Sequence, residues 1–252
     1  MNSVLFAIVV FVLFAGAALL ALALHPRLPE RHRTKETQDA IKIGVGLVVV
    51  LSALVISLLT SSVKSSFDTA TRDLKRFSTQ IILLDRTLRA YGAEAEPTRR
   101  ALETYAARAL AGTWPKDGGA VVVEDRRAED LLEQVRDQIL SFAPASERLR
   151  VLAGEAKDGI RKLIEQRWTL VEDSASSLNL PFLGILVFWL TLVFASFGYN
   201  VPRNALVVAS LVLCALSITG ALFLIVEMDG PLDGLIKVSG APLEEALAHT
   251  RE

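Results

Sequence analysis

From Ile43 to Val63 the chain carries no charged residue over 21 positions. As a helix rising about 1.5 Å per residue, that run is roughly 31 Å long, close to the ~30 Å hydrocarbon core of a bilayer. No glycine follows until Gly92 and no proline until Pro97. The helix can therefore leave the membrane and continue unbroken, and the spacing predicts one rod from Lys42 to Tyr91. Beyond the apolar run its hydrophobic side falls on Phe67, Ala70, Leu74, Phe77, Ile81, Leu84, Leu88 and Tyr91. That alternation of three and four is a seam which buries against other helices. Tyr91-Gly92 reads as its C-terminal stop.

Three more apolar blocks share this length: Val4–Leu24, Asn179–Asn200 and Ala205–Val226. The residues are 52% hydrophobic, and that excess sits in blocks, which is the signature of a membrane protein. Ala21-Leu22-Ala23 resembles a signal-peptide cleavage site. However, no Lys or Arg precedes the first block, and it exceeds the 7–15 residues of a signal core, so an uncleaved span is expected. Between the first two spans lies a polar loop, His25 to Asp39, and Asp39 is placed to cap the second span.

The stretch Lys64–Leu178 is polar and helical by pattern, with 19 basic and 19 acidic residues. Pro97 suits the first turn of a helix bearing Ala101, Leu102, Tyr105, Ala109 and Leu110, ended by Gly112. Glu124–Phe142 is a second amphipathic helix. Ser146 is placed to cap a third, with Leu149, Leu152, Ala156, Ile160, Leu163, Trp168 and Val171 on its apolar side. The expected fold is an all-α membrane protein of four transmembrane helices, with a helical insert of about 115 residues between spans two and three. Its parts are residues 1–63 (spans one and two with a basic loop), 64–178 (the helical domain), 179–228 (spans three and four) and 229–252 (an amphipathic tail).

Catalysis has little to stand on. His25, His32 and His249 lie in a loop or the tail with no metal-ligand spacing, and no phosphate loop is present. Cys214, the single cysteine, lies mid-span, where a thiol packs. No enzyme activity, cofactor or metal is expected, and a net charge of -1 gives no reason to expect nucleic acid. Charge near the membrane ends is nearly balanced. One side carries Arg27, Arg31, Arg33, Lys35, Lys42 and Arg203, and the other carries Lys64, Arg72, Lys75, Arg76, Arg161, Lys162 and Arg167.

The segments GLVVVLSALVISLLTSSVKSSFD (Gly46 to Asp68), IILLDRTLRAYG (Ile81 to Gly92), FWLTLVFASFGYNVPRNA (Phe188 to Ala205) and LCALSITGALFLIVEMDGPLDGLIKVS (Leu213 to Ser239) resemble those of the bestrophin-like domain proteins. Similarity to bestrophins implies a pentameric anion channel with cytosolic termini, a cytosolic helical insert and a pore lined by the second span. The bestrophins' acidic calcium clasp has no counterpart that can be placed residue by residue.

With that resemblance, the second span is the candidate pore, through Gly46, Val49, Ser52, Ala53, Ile56, Ser57 and Thr60. A narrow apolar passage of this kind gates by wetting. An ordinary bundle helix would use the same small residues for packing and bond its serines to backbone. Lys42 and Arg203 are the candidate basic residues at the outer mouth, where they would raise the local anion concentration. Asp85, Arg86 and Arg89 are expected to pair between helices or subunits. Glu227 and Asp229 oppose the dipole at the end of the fourth span and call for a partner such as Lys64 or Arg72. The expected function is an oligomeric, anion-preferring channel in the bacterial inner (plasma) membrane, its partners being the lipid bilayer, further copies of the chain and small inorganic ions. The alternative is a non-conducting sensor or scaffold assembling through its helical domain.

Overall fold

The structure, a computed structural model, describes residues 2–24, 35–115, 121–122, 125–173, 178, 180–199 and 204–251. Every regular element among them is helical: α1 (Ser3–Leu24), α2 (Lys35–Tyr91), α3 (Glu96–Thr113), α4 (Arg126–Leu140), α5 (Glu147–Asp173), α6 (Leu180–Tyr199), α7 (Ala205–Met228) and α8 (Ala241–Arg251), with a short 3-10 turn at Ala93–Ala95. Four of these, α1, α2, α6 and α7, are long and apolar enough to cross a membrane.

The chain forms two compact units, Met1–Ser65 with Ser177–Asp229, and Ser66–Ser176 with Gly230–Glu252. In the first, α1 packs on α6 and α7 around Phe14, Ala18, Leu186, Phe194, Ala215 and Leu222. Phe14 and Phe194 stack with centroids 5.0 Å apart. Gly198 lies at a close approach of α1 and α6, because a Cβ there would sit 2.0 Å from the Ala18 carbonyl oxygen. Asn204 caps α7, its side chain accepting from the Val207 N–H at 2.8 Å.

In the second unit the seam on α2 is spent within the chain. Ala70, Leu74, Phe77, Ile81, Leu84, Leu88 and Tyr91 are all buried, and Phe67 is half-buried against them. Phe77 meets Tyr105 of α3 edge-on, and Tyr91 stacks on Phe142. Gly159 of α5 lets Leu84 approach, and its carbonyl accepts from Gln80. The seam is thus already covered inside one chain, which leaves it no part in assembling copies. α2 stops at Tyr91 because Gly92 turns to φ 112, a conformation open to glycine.

Four local expectations change. α2 begins at Lys35, so Asp39 lies inside the helix and pairs with Lys42 at 3.4 Å rather than capping. Glu36 supplies the negative charge that favours a helix start there. Trp168 is exposed on α5, whose buried side runs through Ala153, Ala156, Ile160 and Leu163. Cys214 is exposed on α7 rather than packed in the chain's own core.

The fourth change is the largest. The amphipathic segment after α7 is no separate part, because Leu232, Val238, Leu243, Ala246 and Leu247 are buried in the second unit's core. Trp114 anchors it, donating from Nε1 to the Val238 carbonyl at 2.8 Å. Gly240 slides under the Trp114 ring, where a Cβ would come within 2.9 Å of it.

Asp125 caps α4, accepting from the Arg127 N–H at 3.0 Å and from Arg108. The Arg108 bond, helped by these amides, holds the Asp125 carboxyl below its ordinary value despite burial. A depressed carboxyl pKa adds stability that is present above the unfolded value, about 4, and is lost as pH falls through the folded value. Asp125→Asn should therefore lower stability near neutral pH by about 1 kcal/mol and make no difference in strong acid. Thermal unfolding of both forms in detergent, followed by circular dichroism across pH, checks this. A constant gap at all pH values would contradict it.

Candidate functional site

In the first unit the spanning part of α2 keeps one side covered and leaves another bare. Val63 is buried, Ser52 is 1% exposed, and Val55, Ile56 and Leu59 pack against the same core. Ser52 and Ile56, two of the candidate pore residues, therefore face the chain's own bundle. Gly46, Val49, Ala53, Ser57 and Thr60 form a neighbouring stripe, and all five are exposed. The Thr60 hydroxyl donates to the Ile56 carbonyl, so the helix backbone satisfies it. The Ser52 hydroxyl is buried without a hydrogen-bond partner, as is that of Thr219 on α7.

Towards the start of α2 the helices part. A crevice of about 710 Å³ opens there between α2, α6 and α7, lined by Lys42, Gly46 and Val49 on one side and by Ser196, Phe197 and Ser210 on the other. Lys42 is exposed and paired with Asp39. Arg203, the other basic candidate, lies outside the described residues.

The acids at the end of α7 are buried and bonded. Glu227 accepts from the Ser3 hydroxyl, and Asp229 accepts from the Leu178 N–H at 2.9 Å. Arg72, one expected partner, donates instead to Thr69. Ser3 had no distinguishing signal in the sequence, since a hydroxyl opening an apolar helix reads as an ordinary cap.

In the second unit Asp85 is the centre of a buried ion cluster. It takes Arg89 at 3.2 Å, the expected pairing one helical turn on, and Arg99 of α3 at 2.9 Å. Arg99 is the residue that sequence reasoning missed. It also bonds Glu96 at 3.1 Å and donates to the Thr250 carbonyl at 3.5 Å, while Arg89 reaches the His249 carbonyl. Asp85 thus ties α2 to α3 and, through the two arginines, to α8. Arg86 is exposed.

A small cavity of about 40 Å³ lies in the same unit, lined by residues of α2, α3, α4, α5 and α8 that include Tyr105, Asp125 and Arg167. The Tyr105 hydroxyl is buried and makes no well-formed hydrogen bond, although the Arg167 guanidinium stands beside it. Arg167 stands with its guanidinium carbon 6.0 Å from the Tyr105 ring centroid. Burial pushes the Tyr105 phenol up, and the Arg167 cation works against that shift.

Four membrane-length helices in an all-helical chain define an integral membrane protein. The Bestrophin-like domain family model matches residues 12–243, and the chain belongs to that family. No curated protein and no solved structure matches it.

Proposed function

We propose that this chain assembles into an anion-preferring channel whose passage is lined by the exposed stripe of α2. The observation that carries this reading is the division of α2 into a covered side and a bare one. The bare side presents Gly46, Val49, Ala53, Ser57 and Thr60, small or weakly polar residues that suit an apolar constriction. Family membership supports it through the likeness to bestrophin channels, and the reading extends to a ring of five copies with cytosolic termini. In this reading residues 64–178 form a cytosolic insert, and Lys42 and Arg203 border the outer mouth. Ser52 and Ile56 drop out of the lining because their own bundle covers them.

Recordings of the purified chain in planar bilayers test this. Ala53→Trp should cut conductance by about tenfold or more, since an indole on the stripe fills a narrow apolar passage. Leu54→Trp, one residue round the helix and 57% exposed, should leave conductance nearly unchanged. No current above empty lipid across salts and voltages would overturn conduction and leave the sensor or scaffold reading standing.

A further inference from the structure

We propose that the second unit binds a short-chain monocarboxylate in the cavity beside Tyr105, its carboxylate held by Arg167 and the Tyr105 hydroxyl. At about 40 Å³ the cavity exceeds the ~10–15 Å³ that one water needs, so it suits a guest of a few heavy atoms. Its walls are mostly apolar, with Leu74, Phe77, Trp114 and Leu243 among them.

Two polar groups on that wall, the Tyr105 phenol and the Arg167 guanidinium, stand beside each other without a well-formed hydrogen bond between them. The Tyr105 phenol is wholly buried and makes no well-formed hydrogen bond, its neighbour Arg167 being too poorly placed to satisfy it, so a better-placed acceptor is favoured there. Among the described residues no carboxylate lies within ion-pair distance of Arg167, although 11 other cation–carboxylate contacts are present. Asp125, on the same wall, is neutralised by Arg108 and by the first amides of α4. A carboxylate between them gives each a well-formed bond: a forked acceptor for the guanidinium and an acceptor for the phenol. A short alkyl end matches the apolar remainder. Strongly hydrated dianions are rejected, because one cation does not offset their desolvation.

The site is separate from the proposed passage, and its test does not use current. Equilibrium dialysis of the full-length chain in detergent against radiolabelled propionate should show saturable binding of one per chain. Arg167→Gln should weaken binding at least about tenfold, with Arg167→Lys restoring part of it. Tyr105→Phe, which removes a single oxygen, should weaken it about three- to tenfold. Neither propionamide nor sodium chloride at matched concentration should displace the label. An unchanged elution volume and unfolding temperature show which variants remain folded, and if Arg167→Gln does not, Tyr105→Phe decides. Absence of saturable binding would mean that the cavity holds only water and would overturn the proposal. Equal binding by Arg167→Gln or by Tyr105→Phe, or competition by propionamide, would overturn it as well. Displacement by chloride would mark a site for any small anion and overturn the carboxylate assignment.

Discussion

Gly198→Ala should leave little folded protein in detergent, whereas Gly184→Ala on the same helix should be tolerated. The Cβ added at position 198 would lie 2.0 Å from the Ala18 carbonyl oxygen and 3.0 Å from the Ala21 Cβ. The first distance is more than an ångström short of ordinary contact, and both atoms belong to helical backbone or to its first side-chain carbon. No rotamer change relieves that, so α1 and α6 must separate, loosening the Phe14–Phe194 stack. Overpacking a core commonly costs about 1–3 kcal/mol, and a backbone clash belongs at the upper end or beyond. At Gly184 nothing stands within 4 Å of the added carbon, and alanine is the better helix former by about 1 kcal/mol. Thermal unfolding of the two variants provides the comparison. Equal melting temperatures would mean that the crossing is looser than described.

Asp85→Ala should destabilise the second unit by about 3–5 kcal/mol, because it strands Arg99 in a site with little access to water. The side chain of Asp85 is 3% exposed and that of Arg99 is 18% exposed. Arg89, at 45%, is a surface partner by comparison, and Arg89→Ala should cost only about 0.5 kcal/mol. Replacing both buried partners by apolar residues of similar size, Asp85→Leu with Arg99→Met, should recover most of the loss, since a buried pair stabilises little relative to good packing. Chemical denaturation of the four forms in detergent tests the ranking. A double variant as weak as Asp85→Ala alone would show that the pair acts through the α8 carbonyls it reaches rather than through its own charges.

Much of this architecture was legible because hydropathy and periodicity are local. Uncharged runs of bilayer length marked α1, α2, α6 and α7, and the three-four alternation from Phe67 to Tyr91 marked the buried side of α2. Less legible was which partner a residue meets. Arg99 lies 14 residues from Asp85 and reaches it only because the chain reverses at Gly92 and restarts at Pro97. Both punctuation marks were visible, but the register they impose was not. Likewise, serine spacing on α2 named Ser52 and Ser57 as equivalent candidates, yet they lie on different sides of the helix, and only the packing of Val55, Ile56 and Leu59 separates them. The amphipathic character of the segment carrying α8 was visible, but Gly230-Pro231 and Gly240-Ala241-Pro242 interrupt it, and nothing local says which core it joins.

The second unit takes its residues from either side of α6 and α7 in the chain, and this dictates an order of events at the ribosome. When α3, α4 and α5 have been synthesised, the surface meant for Leu232, Leu243 and Leu247 still faces water, and it stays so while both remaining apolar helices are translated and inserted. The nascent chain therefore passes through a stage in which it is anchored in lipid but only part-closed outside it. Chaperone contact would be most valuable at that stage.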